Sequence, residues 1–122
     1  MGQARRIAQA MVISAREDAR QIASTLIEES GFHVIEADGL SEAEDLLTRH
    51  GRKITFVFAE AGSPVEARAL AALISGKWPW IRLLVSMEGA ALDVRDLPSG
   101  ASQMHTPWRP LDLLIEAERA MH

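Results

Sequence analysis

The sequence predicts an α/β domain: a doubly wound, five-stranded parallel sheet with helices on both faces. Two observations carry this. Five apolar runs of strand length alternate with segments of helical period, the pattern of parallel strands joined by right-handed crossovers. The central runs Phe56-Val57-Phe58 and Leu83-Leu84-Val85 are apolar without alternation, as strands covered on both faces should be.

Taken in order, residues 11–13, extending back to Gln9, form the first strand, and Ala19, Ile22, Ala23, Leu26 and Ile27 recur at helical spacing after it. A second strand over 32–35 leads to a helix marked by Ala43, Leu46 and Leu47. A third strand, 54–59, precedes Ala67, Leu70, Ala71 and Ile74, again at helical spacing, and a fourth follows at 81–85. In the segment 89–99, Pro98 and Gly100 limit the fourth helix to a turn or two, so it is expected to be short or irregular. A weaker fifth strand at 101–104 precedes Leu111, Leu114 and Ile115, in a last helix that Pro110 opens as its first residue. Three strand-to-helix junctions carry a capping-box pattern: Ser14-Ala15-Arg16-Glu17, Ser41-Glu42-Ala43-Glu44 and Ser63-Pro64-Val65-Glu66.

The 122 residues suit one domain, 1–122, with a core of its own. A hydrophobic share of 48% and a charged share of 25% are those of an ordinary globular chain, and the net charge of −4 opposes nucleic acid and anionic lipid as partners. No stretch has the length of a bilayer span, and cysteine is absent, so disulfide and thiol chemistry are excluded and a cytoplasmic setting is expected. His33, His50, His105 and His122 lack metal-ligand spacing, and neither a Gly-rich phosphate loop nor a Gly-x-Ser-x-Gly elbow is present. Ser86 has no neighbouring base recognisable in the sequence. The expectation is therefore no enzyme, no cofactor and no metal.

In doubly wound sheets, ligands collect beyond the carboxyl ends of the strands. That rule points to Ser14, Glu60, Ser86 and the pair Thr106-Pro107, each of which follows an expected strand.

Several markers along the chain are similar to the receiver domain of two-component response regulators. They are Gly31-Phe32 at the entry to the second strand, Glu36-Ala37-Asp38-Gly39 with Glu42-Ala43 at the second helix, Pro64, Leu97-Pro98-Ser99-Gly100-Ala101, and Pro107. The resemblance implies the flavodoxin-like strand order 2-1-3-4-5. It also implies a phosphoacceptor aspartate, two acids after the first strand that hold Mg²⁺, a lysine for the phosphoryl oxygens, and a hydroxyl. Carried over by position, the acidic pair falls on Ser14 and Ala15 with Arg16 beside them, the phosphoacceptor on Glu60, the hydroxyl on Ser86, and the lysine on Thr106 before Pro107. Only Ser86 matches in kind.

These departures reinforce one another. Mg²⁺ needs carboxylate oxygens, and the Arg16 charge opposes a divalent cation. A phosphoryl transition state loses the ammonium at position 106, and the longer Glu60 disturbs in-line geometry. The resemblance therefore implies a stand-alone degenerate receiver that acts by protein–protein contact. Glu60 is either a fixed charge imitating a phosphorylated aspartate or an exposed carboxylate at the sheet edge, paired with Arg16. Gln103 stands where the family places its relay aromatic and is expected to be solvated. With His105 and Trp108 it marks an interaction face for a signalling kinase, a regulator or a second copy that would make a homodimer. Two rivals are an atypically phosphorylated receiver and a small α/β ligand-binding or enzymatic domain that uses the crevice.

Overall fold

In the computed structural model, residues 7–87, 101–105 and 108–121 are described. The elements run β1 (Gln9–Ile13), α1 (Glu17–Glu29), β2 (His33–Ala37), α2 (Leu40–His50), β3 (Ile54–Ala61), α3 (Pro64–Lys77), β4 (Arg82–Met87), β5 (Ala101–His105) and α4 (Pro110–Met121). All four strand pairings are parallel, in the order β2-β1-β3-β4-β5. The expected short helix over 89–99 lies outside the described residues.

The pleat sorts side chains into two cores. On one face Val57, Ala59, Leu83 and Val85 pack against Ala43 and Leu47 of α2 and Ala67, Leu70 and Ile74 of α3. On the other, Phe56, Phe58 and Leu84 pack against Ala23 and Ile27 of α1 and Leu113 and Ala117 of α4. Phe32 extends this second core, its ring 5.9 Å from that of Phe56. Burial on both faces explains the unbroken apolar runs, since β4 exposes almost nothing from Leu83 to Met87. The edge strand β2, with only Ala37 fully buried, is the exception.

The strands reach further than the apolar runs. β3 continues through Glu60 to Ala61 and β4 through Ser86 to Met87, so Glu60 and Ser86 lie inside paired strands and face one another in register. Backbone pairing continues wherever the ladder has a partner, whatever the polarity of the side chain.

Only one of the three expected caps has the expected serine. Ser63 accepts from the Glu66 amide at 3.1 Å, with Pro64 opening α3 and Glu66 bonded back to the Gly62 amide. At α2 the cap is Gly39, Ser41 already lies inside the helix, and the Glu42 carboxylate receives the Asp38 amide instead. At α1 the cap is Arg16, without a side-chain bond, because Ser14 stands two residues too early and is engaged elsewhere.

Two glycines have specific reasons to be glycine. Gly31, after α1, has φ +102°, a backbone region that side chains disfavour. Gly51, after α2, leaves no room for a methyl: an added Cβ would stand 2.2 Å from Trp78 Nε1 and 2.6 Å from the Leu47 carbonyl. Trp78 packs into the core at this point, and Trp80 donates its indole N–H to the Gly51 carbonyl at 3.2 Å.

Candidate functional site: the carboxyl ends of the strands

Order β2-β1-β3 then β4 places the reversal of winding between β1 and β3, and an open crevice of about 280 Å³ lies there. Ser14, Ala15 and Arg16 line it from the β1–α1 connection, Glu60 from β3 and Ser86 from β4. Five of the residues singled out from the sequence thus share one cavity. Thr106 and Pro107 lie outside the described residues.

Glu60 is the centre of the arrangement. Its carboxylate Oε1 accepts from the Ser14 hydroxyl at 2.7 Å, and Oε2 accepts from Arg16 Nη2 at 2.8 Å and from the Trp108 indole N–H at 3.3 Å. Three donors from two connections and one ion pair therefore converge on one side chain. Its side chain is only 11% exposed, so Glu60 is not the exposed edge carboxylate that its position suggests, although it does pair with Arg16. The bond from a nearly buried hydroxyl to a carboxylate at 2.7 Å has the length of a charge-assisted bond.

The surroundings hold the donors in place. Ser14 also accepts from the Arg16 amide at 3.1 Å, a local turn that fixes the connection over the strand end. Arg20 reaches back from α1 to bond the Ser14 carbonyl at 2.9 Å and Glu36 at 3.0 Å, tying the connection to β2. Trp108 meets Phe58 edge-on, with ring centroids 5.4 Å apart, so its N–H is aimed at Glu60 by packing in the α1/α4 core.

That packing shows how the residues named for an interaction face are placed. Trp108 is half-buried and turned inward, not displayed as an anchor. Gln103, opposite Val85 in the pairing of β5 with β4, is half-buried with its amide nitrogen shielded, not solvated. His105 ends β5 opposite Met87.

The receiver resemblance raises the question of Mg²⁺, and the donors present do not fit it. The end of β1 offers a serine and an alanine where carboxylates are needed, and both oxygens of Glu60 already have donors, one of them a guanidinium. Among the described residues no three acids or histidines are grouped to hold a metal ion. What the arrangement does chemically is neutralise and enclose one carboxylate.

Sequence reading could not find Trp108 as a Glu60 partner, since the two are 48 positions apart and only the fold brings them together. The Ser14 bond, across 46 positions, is equally silent in the sequence.

Comparison with known proteins supports the fold. No family model matches the sequence, and no curated protein matches it. Solved structures do. A response regulator receiver domain protein from Clostridium thermocellum superimposes with a TM-score of 0.83 at 21% identity, covering 93% of this chain and 94% of that one. An orphan response regulator of H. pylori gives 0.79 at 18% identity, over 97% of this chain and all of that one. An atypical orphan response regulator, described as having a phosphorylation-independent regulatory mechanism, gives 0.77 at 18% identity over 93% and 94%. The doubly wound domain is a receiver fold of the flavodoxin-like type. Among the described residues no helix is long and apolar enough to cross a membrane.

Proposed function

We propose that this chain is a degenerate receiver domain of two-component signalling, which works by binding another protein and not by Mg²⁺-dependent phosphorylation of an aspartate. The observation that carries the reading is the triple hold on Glu60. The carboxylate at the phosphoacceptor position already has Ser14, Arg16 and Trp108 as donors. A nucleophile so engaged is poorly placed to attack phosphorus, and the serine and alanine beside it offer no metal ligands. The similarity to regulators described as orphan or phosphorylation-independent points the same way.

In this reading Glu60 is a fixed charge that joins β3 to the β1–α1 and β5–α4 connections. It thereby holds the partner-facing surface in one conformation. The chain is not an enzyme, works in the cytoplasm, and takes a signalling kinase, a regulator or a second copy of itself as partner. The same occupied donors argue against the crevice as a small-molecule site.

The test is incubation with acetyl phosphate and Mg²⁺, read by intact-protein mass and by tryptophan fluorescence. The expected result is no added phosphoryl mass and no fluorescence response to Mg²⁺ with beryllofluoride. Phosphoryl incorporation that Glu60→Gln abolishes would overturn the proposal. If Glu60→Gln leaves the affinity for a co-purifying partner unchanged, the fixed-charge role fails while the fold assignment stands.

A further inference from the structure

The turns that enter β3 and β4 come from α2 and α3, which pack on one face of the sheet, so the two turns lie side by side at its amino edge. Gly51 joins them: its carbonyl accepts from the Trp80 indole at 3.2 Å, and its open side meets the Trp78 ring. Trp78 is half-buried against the core, whereas Trp80 is 51% exposed. The one polar atom of the Trp80 ring is engaged at the turn, so an apolar surface is held open to solvent. The shielded atoms at this edge, Gln9 Oε1 and Thr55 Oγ1, are closed to solvent and take no part.

Basic side chains flank the ring. Arg52 and Lys53 in the first turn and Lys77 before the second are exposed, and none has a carboxylate partner among the described residues. Arg16, Arg20, Arg82 and Arg119, by contrast, are each paired with a glutamate. The negative end of a helix accounts for Lys77, in the last turn of α3, but Arg52 and Lys53 lie past the end of α2. The sequence is uneven in the same place: of its 17 acids, none stands between Asp45 and Glu60 or between Glu66 and Glu88. Both turns thus carry cations and no acid, in a chain of net charge −4.

We propose that this corner docks a short acidic segment of a partner protein, with one apolar side chain laid on Trp80 and carboxylates met by Arg52, Lys53 and Lys77. The surface is separate from the Glu60 network and does not depend on how that network is read. Tryptophan and arginine are the residues that most often anchor protein interfaces, and unpaired cations speed the arrival of an acidic partner. Nucleic acid fits less well. The corner offers one exposed indole where single-strand binders stack successive bases, and a longer polyanion would run on toward the exposed Glu28 and Glu29 at the end of α1.

The test is titration of the ¹⁵N-labelled full chain with a short peptide of alternating glutamate and leucine, read by indole and backbone N–H signals. Parallel probes are the same peptide with glutamine for glutamate, a short oligouridylate, and vesicles of anionic phospholipid. Saturable shifts of the Trp80 indole and of the Arg52 and Lys53 amides are expected, with Kd below about 1 mM at about 50 mM salt and the Trp108 indole unmoved. Arg52→Gln with Lys53→Gln should weaken binding about tenfold and Trp80→Ala about fivefold. Arg109→Gln, a charge removed at the other edge of the sheet, should leave it unchanged. The proposal is overturned by absence of saturation in that range, by a Trp80 indole that does not move, by equal binding of the glutamine peptide, by tighter binding of the oligouridylate or the vesicles, by Arg52, Lys53 and Trp80 variants that bind as the parent does, or by an Arg109→Gln loss as large as theirs. None of these outcomes bears on the acetyl phosphate test of the carboxyl end.

Discussion

At the carboxyl end of the sheet one carboxylate meets three donors, whereas at the amino end two shielded polar atoms meet none. The strands are the same strands, so the difference comes from what is folded over each end. The β1–α1 connection brings Ser14 and Arg16 onto Glu60, and the approach to α4 brings Trp108. At the amino end the α2–β3 turn closes on itself through backbone bonds from Gly51 to Leu47, Lys53 to His50 and Ile54 to Gly51. That turn leaves the Arg52 and Lys53 side chains outward. In the crevice where this fold type gathers ligands the one carboxylate is thus engaged by the protein's own side chains, and at the edge that usually gathers none two polar atoms are left unsatisfied.

The largest effect expected from breaking this contrast is at Gly51, the packing behind the amino end. In Gly51→Ala the new methyl meets the Trp78 ring and the Leu47 carbonyl, and the carbonyl cannot yield without unwinding the end of α2. The expected loss is about 3 kcal/mol, read as a lower urea midpoint with unchanged slope. A loss under about 0.5 kcal/mol would mean that this end is loosely packed.

The carboxyl end is expected to give a smaller loss. Trp108→Phe keeps an aromatic ring against Phe58 and removes the N–H that reaches Glu60 together with part of the indole's bulk, so the double-mutant cycle below isolates the hydrogen bond. A cost of about 1–2 kcal/mol is expected in urea unfolding. In Glu60→Gln that cost should shrink, since the partner charge has gone; a double-mutant cycle that shows no coupling would detach Trp108 from the carboxylate.

The sequence made one part of this contrast legible and hid the other. Strand count, helix order and parallel pairing follow from the apolar runs, because burial on both faces erases alternation in β3 and β4. That Ser14 and Ala15, not acids, follow the first strand is also visible, since it depends only on distance along the chain. What was hidden is long-range. Trp108 reads from the sequence either as an aromatic that finishes the core or its rim or as a contact residue, and the edge-on ring of Phe58 turns it inward. Ser14 reads as a helix cap because the pattern Ser14-Ala15-Arg16-Glu17 fits one, yet α1 begins two residues later than that pattern requires, and the hydroxyl donates to the Glu60 carboxylate while accepting only from the Arg16 amide. The unpartnered amino end is invisible for another reason: a one-residue bulge at Thr55 has no signature in an apolar run.

The smallest effect is the sharpest discriminator, because it asks the same chemical question at both ends. Ser14→Ala and Thr55→Val each remove one shielded hydroxyl. At Ser14 the change strips a 2.7 Å bond from a carboxylate that is 11% exposed, and a loss of about 1–2 kcal/mol is expected. At Thr55 no bond is lost, and valine keeps the β-branched shape that suits a strand, so stability should rise by up to about 1 kcal/mol. Opposite signs, measured in one buffer by urea unfolding, would establish that the amino end carries an unmet polar demand in the free protein. If Thr55→Val instead costs as much as Ser14→Ala, the Thr55 hydroxyl has a partner in solution and the contrast between the two ends disappears.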